Sequence, residues 1–201
     1  EKSVYCEIIN VQNFNKLIKL TNIKGIILSG GPASISESKS PRIKNFNLLK
    51  GIPVLAICYG HQLIAKHFQG KVKFSKKKKF GRAEIFLKNN SPLTKNFFKN
   101  KKNLVWMSHS DQVTKIGKGF STVAFTKNSS CAITQNLKEN IYTVQFHPEV
   151  IHTNNGDVIF KNFIFSICKC KKNWKDEKNL KKIIQEIKKK VGNKKVLCAL
   201  S

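Results

Sequence analysis

The stretch Val54-Leu55-Ala56-Ile57-Cys58-Tyr59-Gly60-His61-Gln62 decides how this chain is read. Ile52 to Ile57 is a short continuous apolar run, the mark of a central strand buried on both faces. It passes directly into Gly60 to Phe68, a helical pattern. A nucleophile at such a junction stands at the C-terminal edge of a sheet on a tight elbow, which needs a small residue nearby, and Gly60 supplies it. At a helix N-terminus Cys58 also meets the positive end of the macrodipole, which favours the thiolate. The competing reading is a buried structural cysteine, because a free cysteine also behaves as a small hydrophobe.

On either side of the junction, apolar runs of strand length alternate with helical patterns, which predicts an α/β fold: an open parallel or mixed sheet with helices on both faces. Val4 to Ile9 and Gly25 to Ser29 read as strands, with a helix near Asn13 to Leu20 between them. Ser40 as N-cap and Pro41 at the first helical position predict a second helix ending near Gly51. Ala83 to Leu87, Leu104 to Met107, Ser121 to Phe125, Ala132 to Asn136 and Ile141 to Phe146 are strand candidates, and Asp157 to Ile167 a helix. The lysine run at 76 to 79 reads as a loop. After Cys170 the chain is lysine-rich until Asp176, which caps a helix with Leu180, Ile183, Ile184, Ile187 and Val191 on one face.

The 201 residues carry 38 basic and 11 acidic side chains, a net charge of +27 that on its own suggests a nucleic-acid partner. Only Arg42 and Arg82 are arginines, whereas phosphate and base recognition favours the guanidinium fork. Most of the 14 phenylalanines stand in apolar contexts rather than interleaved with lysines, so a basic RNA-binding module is the weaker reading. Apolar runs fall far short of the ~20 residues that span a bilayer. The six cysteines form no regular disulfide framework, which points to a reducing compartment, the cytoplasm. Cys168-Lys169-Cys170 lacks a second ligand pair, so no metal site is expected.

A thiolate nucleophile needs a base, and Gln145-Phe146-His147-Pro148-Glu149 offers one at the end of a strand. Pro148 stops the strand, and the carboxylate two residues after His147 is placed to orient the imidazole. His61, His67, His109 and His152 compete for the role. Acyl chemistry also needs donors for an oxyanion, which backbone N–H groups in Ser29-Gly30-Gly31-Pro32 and on Tyr59 can provide.

Ser-Gly-Gly-Pro, Cys-Tyr-Gly-His-Gln and Phe-His-Pro-Glu-Val, in this order, resemble the class I glutamine amidotransferases. Gly81-Arg82-Ala83-Glu84-Ile85, the segment Trp106 to Val113, His152-Thr153, and Ile167 to Cys170 with Trp174 are similar to the branch of that family whose synthetase half aminates xanthosine monophosphate. The resemblance covers about residues 1 to 175 and implies a flavodoxin-like open mixed sheet. It further implies that Cys58 attacks the glutamine carboxamide, His147 moves protons and Glu149 orients His147. Gly31 and Tyr59 match the oxyanion hole, and Gln62, Ser108 and Asp111 match positions that hold the glutamine α-amino and α-carboxylate groups. A stand-alone γ-glutamyl cysteine hydrolase of the same fold is the alternative.

On this resemblance residues 1–170 form the amidotransferase domain, with the family's first strand missing and loop sequence shortened near Phe74 to Phe80. Residues 171–194 form a linker with an amphipathic helix. The apolar run after Lys195, ending at Ser201, resembles the first strand of an ATP-pyrophosphatase domain. No cofactor is expected in the amidotransferase domain, ATP and magnesium are expected in the synthetase domain, and a homodimer through a further C-terminal domain is expected. The natural protein is therefore expected to have an intact mass more than twice the 22.8 kDa of these residues, and a value near 22.8 kDa by mass spectrometry would contradict this.

Overall fold

The computed structural model describes residues 2–14, 22–174 and 176–196, with side chains left aside at 75–78, 176–179, 181 and 182. Seven strands are described: β1 (Ile26–Leu28), β2 (Val54–Ile57), β3 (Lys71–Leu87), β4 (Lys102–Lys115), β5 (Ser121–Thr126), β6 (Ser129–Asn136) and β7 (Ile141–Val144). They form one mixed sheet in the order β1-β2-β7-β6-β5-β3-β4. β1, β2 and β7 run parallel as neighbours, and the remaining pairs are antiparallel.

All four residues of β2 are buried, and their period-2 alternation feeds two cores. Val54 and Ala56 join Tyr59, Leu63 and Ile64 of helix α1 (Tyr59–His67), while Leu55 and Ile57 join Val105, Ile133, Phe146, Ile159 and Phe163 on the opposite face. A large apolar side chain buried in this way contributes about 1.5–3 kcal/mol. The second face is covered by α2 (Gly156–Lys161), which continues as a π-helical turn over Asn162–Ile167. Asn162 explains part of that irregularity: its amide donates to the carbonyls of Leu93 (2.9 Å) and Lys95 (2.8 Å). The helix expected over Asp157 to Ile167 is thus present but changes winding midway.

Three expectations from the sequence are corrected. Residues 4–9 form no strand, and Ile8 is fully exposed. No helix follows Ser40; a four-residue 3-10 turn, Phe46–Leu49, stands there instead. Ser40 does not cap because its hydroxyl donates to the Ser34 carbonyl, while Arg42 donates to the carbonyls of Ile35 and Glu37 at 3.0 Å each, folding the segment back on itself. The lysine run is not a loop but belongs to β3, which pairs with β4 on both sides of it, Phe74 with Asp111 and Phe80 with Ser108, across a bulge. An antiparallel pair with one face in water accepts lysines readily. The helix expected near Asn13 to Leu20 lies mostly, and the strand at 196–200 almost wholly, outside the described residues.

Residues Ile8–Cys170 form one compact unit. A second unit comprises the N-terminal residues up to Glu7 and the chain from Lys171 onward. Within the second unit the Trp174 N–H donates to the Ser3 carbonyl (3.0 Å), and the rings of Tyr5 and Trp174 lie 4.7 Å apart. Its helix α3 (Asp176–Val191) ends at Gly192, which has φ +53°, and exposes Leu180, Ile183, Ile184 and Ile187. No helix among the described residues is long and apolar enough to cross a membrane.

One contact sets the approach of α1 to the sheet. A Cβ on Gly60 would lie 2.5 Å from the Leu28 carbonyl oxygen and 2.9 Å from the Leu28 Cβ, so the first turn of α1 sits directly on the end of β1. Gly60→Ala is expected to cost about 1–3 kcal/mol in denaturant unfolding, the range for overpacking against rigid neighbours. Unchanged stability would show that this approach is not enforced.

Candidate functional site

The C-terminal ends of the three parallel strands open at one edge of the sheet, where α/β folds place ligands. β1 delivers Ser29-Gly30-Gly31, β2 delivers Cys58, and β7 delivers Gln145-Phe146-His147. The Cys58 N–H donates to the Val144 carbonyl at 2.8 Å, so the ends of β2 and β7 are tied by backbone. Cys58 then turns sharply into α1 with φ 48° and ψ −99°, a strained conformation for a side-chain-bearing residue. No side chain caps α1, which leaves backbone N–H groups of its first turn available beside the thiol.

His147 Nδ1 and Glu149 Oε1 are 2.7 Å apart. Gly30 is the close neighbour of both side chains, Cys58 and His147: a Cβ there would sit 3.1 Å from His147 Cε1 and 3.4 Å from Cys58 Cβ. The His147 pKa is pushed up to about 10, first by a hydrogen bond with Cys58 and then by the one with Glu149, both outweighing the opposing effect of burial. Burial pushes the Glu149 carboxyl up, but the His147 hydrogen bond and further local contacts leave it below its ordinary value. The site thus favours an imidazolium between Cys58 and Glu149. Thr153 holds this loop against β4: its hydroxyl donates to the His147 carbonyl (2.6 Å) and accepts from the Trp106 N–H (3.0 Å), while the His147 N–H donates to the Trp106 carbonyl (3.0 Å).

Asp111 is buried and turned toward the loop after β1, where Oδ2 accepts from the Ser34 hydroxyl (2.6 Å) and the Ile35 N–H (2.9 Å). Its backbone carbonyl accepts from Gln62 Nε2 and from His109 Nδ1, both at 2.9 Å. Oδ1 is buried without a partner among the described residues. The Ser108 carbonyl lies 3.7 Å from Cys58 Sγ. Tyr59 donates its hydroxyl to the Pro41 carbonyl (2.5 Å), and a Cβ on Gly31 would meet nothing within 4 Å, so that backbone borders open space.

The remaining histidines have other surroundings. His61 is fully buried on Thr143 (2.6 Å), and burial pushes its pKa down to about 3. His67 stacks on Phe46, and His152 packs on Trp106. His109 is pushed down to about 4, chiefly by burial. Two neighbours of the thiol carried no assignment from sequence: Gly30, quoted only as part of Ser-Gly-Gly-Pro, and Gln145, whose Nε2 lies 3.9 Å from Cys58 Sγ. Gln145 adjoins Phe146-His147, but its direction could be known only with β7 placed beside β2. Among the described residues no group of three or more His, Cys, Asp or Glu side chains is placed to hold a metal ion.

The family model for glutamine amidotransferase class-I matches residues 1–167, and the chain belongs to that family. Its relatives narrow the branch. Over 201 residues it is 42% identical to "GMP synthase [glutamine-hydrolyzing]" of Brachyspira hyodysenteriae, covering all of this chain and 39% of the relative. With the protein of the same name from Borrelia garinii subsp. bavariensis it is 47% identical over 203 residues, covering 38% of that relative. A solved structure from Thermoplasma acidophilum, described as a GMP synthase subunit, superposes with a TM-score of 0.63 at 27% identity, covering 85% of this chain and 82% of that one. The chain therefore spans about two fifths of the length of its curated relatives.

If Cys58 and Glu149 raise the His147 pKa, both Cys58→Ala and Glu149→Gln will lower it, Cys58→Ala by more, because its hydrogen bond is the larger cause. An NMR titration of the His147 ring protons measures both shifts; a midpoint unchanged in the two variants would exclude the paired imidazolium.

Proposed function

We propose that this chain hydrolyses glutamine to glutamate and ammonia with Cys58 as nucleophile, His147 as proton carrier and Glu149 as the residue that orients His147. The observation that carries the reading is the imidazole of His147 held between Glu149, at 2.7 Å, and Cys58 on its strained elbow. The thiolate attacks the carboxamide carbon, the C–N bond breaks, and the nitrogen takes the imidazolium proton and leaves as neutral ammonia. Water then gives a proton to His147 and its hydroxide to the acyl carbon, which releases glutamate and restores the thiolate. The N–H groups of Gly31 and Tyr59 meet the oxyanion at each step. Gln62, Ser108 and Asp111 form the head-group site, with Asp111 Oδ1, buried and unpartnered among the described residues, as acceptor for the α-amino group.

The ammonia serves a synthetase region of the same polypeptide. By analogy with the relatives' name, that region is an ATP-pyrophosphatase that uses ATP and magnesium to activate xanthosine monophosphate and aminate it to GMP, in a cytoplasmic homodimer. The domain boundaries follow the sequence: amidotransferase to residue 170, linker helix to 194, and the synthetase domain from 195.

Cys58→Ala is expected to lower glutamine-dependent synthesis by about three orders of magnitude or more, the scale of nucleophile removal, while free ammonium still supports synthesis by the full-length protein. Loss of both activities would sink the assignment. Glu149→Ala is expected to lose less turnover than His147→Ala, because a poorly aligned imidazole still accepts a proton.

A further inference from the structure

His152-Thr153 stands shortly after the Phe-His-Pro-Glu-Val run and supplies no reacting group, yet both residues grip Trp106 on β4. The His152 ring packs on the Trp106 ring with centroids 4.7 Å apart, and Phe80 meets the same ring edge-on at 5.1 Å. Thr153, 5% exposed, takes the backbone instead. Its hydroxyl accepts from the Trp106 N–H (3.0 Å) and donates to the His147 carbonyl (2.6 Å), so one hydroxyl serves as acceptor and donor at once. The His147 N–H donates to the Trp106 carbonyl (3.0 Å). Both main-chain polar groups of His147 are thereby held to one residue of β4, one directly and one through Thr153. The loop is also closed on itself: the Gly156 N–H donates to the Thr153 carbonyl (3.3 Å), and a Cβ on Gly156 would run into the Pro148 carbonyl.

β7 ends at Val144 and Pro148 has no N–H, so residue 147 lies past the end of its strand, and the contacts with Trp106 and Thr153 take the ladder's place. His147 and Glu149 ride on the same loop, 2.7 Å apart, whereas Cys58 comes from the end of β2. What the Thr153 hydroxyl fixes is therefore chiefly the distance from the imidazole to the thiol. We propose that Thr153 is a positioning residue of the glutaminase reaction, its hydroxyl locking residue 147 to β4 so that the imidazole stands within reach of Cys58. The inference rests on the glutaminase reading above. Without the hydroxyl, the part-buried Trp106 N–H and His147 carbonyl lose a partner, and the main chain must shift to recover one. Proton transfer needs heavy atoms within about 2.6–3.2 Å, so even a small shift matters. Asn103 provides the contrast. Its amide donates to the Asn154 and Phe97 carbonyls, 3.0 Å each, supporting the same loop one residue further on without a bond to His147.

The test compares Thr153→Val, which keeps the shape and removes the hydroxyl, with Thr153→Ser, which keeps the hydroxyl, and with Asn103→Ala. In the full-length polypeptide, with ATP and xanthosine monophosphate present, glutamate release is measured against glutamine concentration. In Thr153→Val, kcat is expected to fall by about ten- to a hundredfold with KM changed by less than about twofold, the pattern of misplaced reacting groups. Thr153→Ser is expected to restore most of the rate, and Asn103→Ala to retain it while lowering the thermal unfolding midpoint. The NMR titration midpoint of the His147 ring is expected to fall in Thr153→Val, because the hydrogen bond with Cys58 is the larger cause of its elevation, and to hold in Asn103→Ala. If Thr153→Val does not accumulate as folded protein, Thr153→Ala, which removes the hydroxyl and leaves room, is held to the same outcomes. Full kcat without the hydroxyl overturns the proposal. An equal loss in Asn103→Ala also overturns it, by reducing the effect to general loop stability, and a raised KM with kcat intact does so by assigning the loop to substrate binding. Failure of the underlying reading looks different: the unaltered protein would release no glutamate, while the His147 midpoint would still follow the Thr153 hydroxyl.

Discussion

A single backbone hydrogen bond, from the Cys58 N–H to the Val144 carbonyl, fixes the geometry on which the site depends. It sits where two parallel strands end side by side, so a residue at the tip of β2 and one three positions beyond Val144 meet at a set distance. Side-chain chemistry then follows from backbone placement. Cys58 turns into the N-terminus of α1, Pro148 stops the chain after His147, and Glu149 closes back on the imidazole at 2.7 Å. Gly30, two residues past the end of β1, leaves just enough room for the His147 ring.

Asp111 organises the other side. Its carbonyl holds Gln62 and His109, and one carboxylate oxygen holds Ser34 and Ile35, so a residue on an antiparallel strand anchors both the helix after Cys58 and the loop after β1. Loops need such anchors because their backbone groups lack partners in a ladder. The long β3–β4 hairpin supplies this buried contact from its second arm.

The parts of the fold legible in sequence were those set by local pattern. Val54 to Ile57 could be read as a buried strand because four apolar residues in a row have no other economical place, and Cys58 and His147 because each follows a strand directly. The contacts that finish the site were not legible, since Asp111 meets Ile35 across 76 positions and Gln145 meets Cys58 across 87. Local pattern also misled where a side chain found a distant partner. Ser40 had the look of a helix cap, but its hydroxyl went to the Ser34 carbonyl. The lysines had the look of a loop, but cross-strand pairing on both sides carried the strand through them. Residues 4–9 had the composition of a strand without a neighbour to pair with in the described sheet.

The central position of β7 also orders events in time. This strand is late in the chain yet lies between β2 and β6, two elements made before it. During synthesis the segment with β1, β2 and α1 leaves the ribosome with the edge of β2 unpaired, and the thiol has no imidazole beside it until residues 141–149 have been added and inserted. Closing such a non-local pairing is among the slower steps of folding. The pairing of Cys58 with His147 is therefore assembled by the same step that completes the sheet, and a nascent or partly unfolded chain carries Cys58 without His147 beside it.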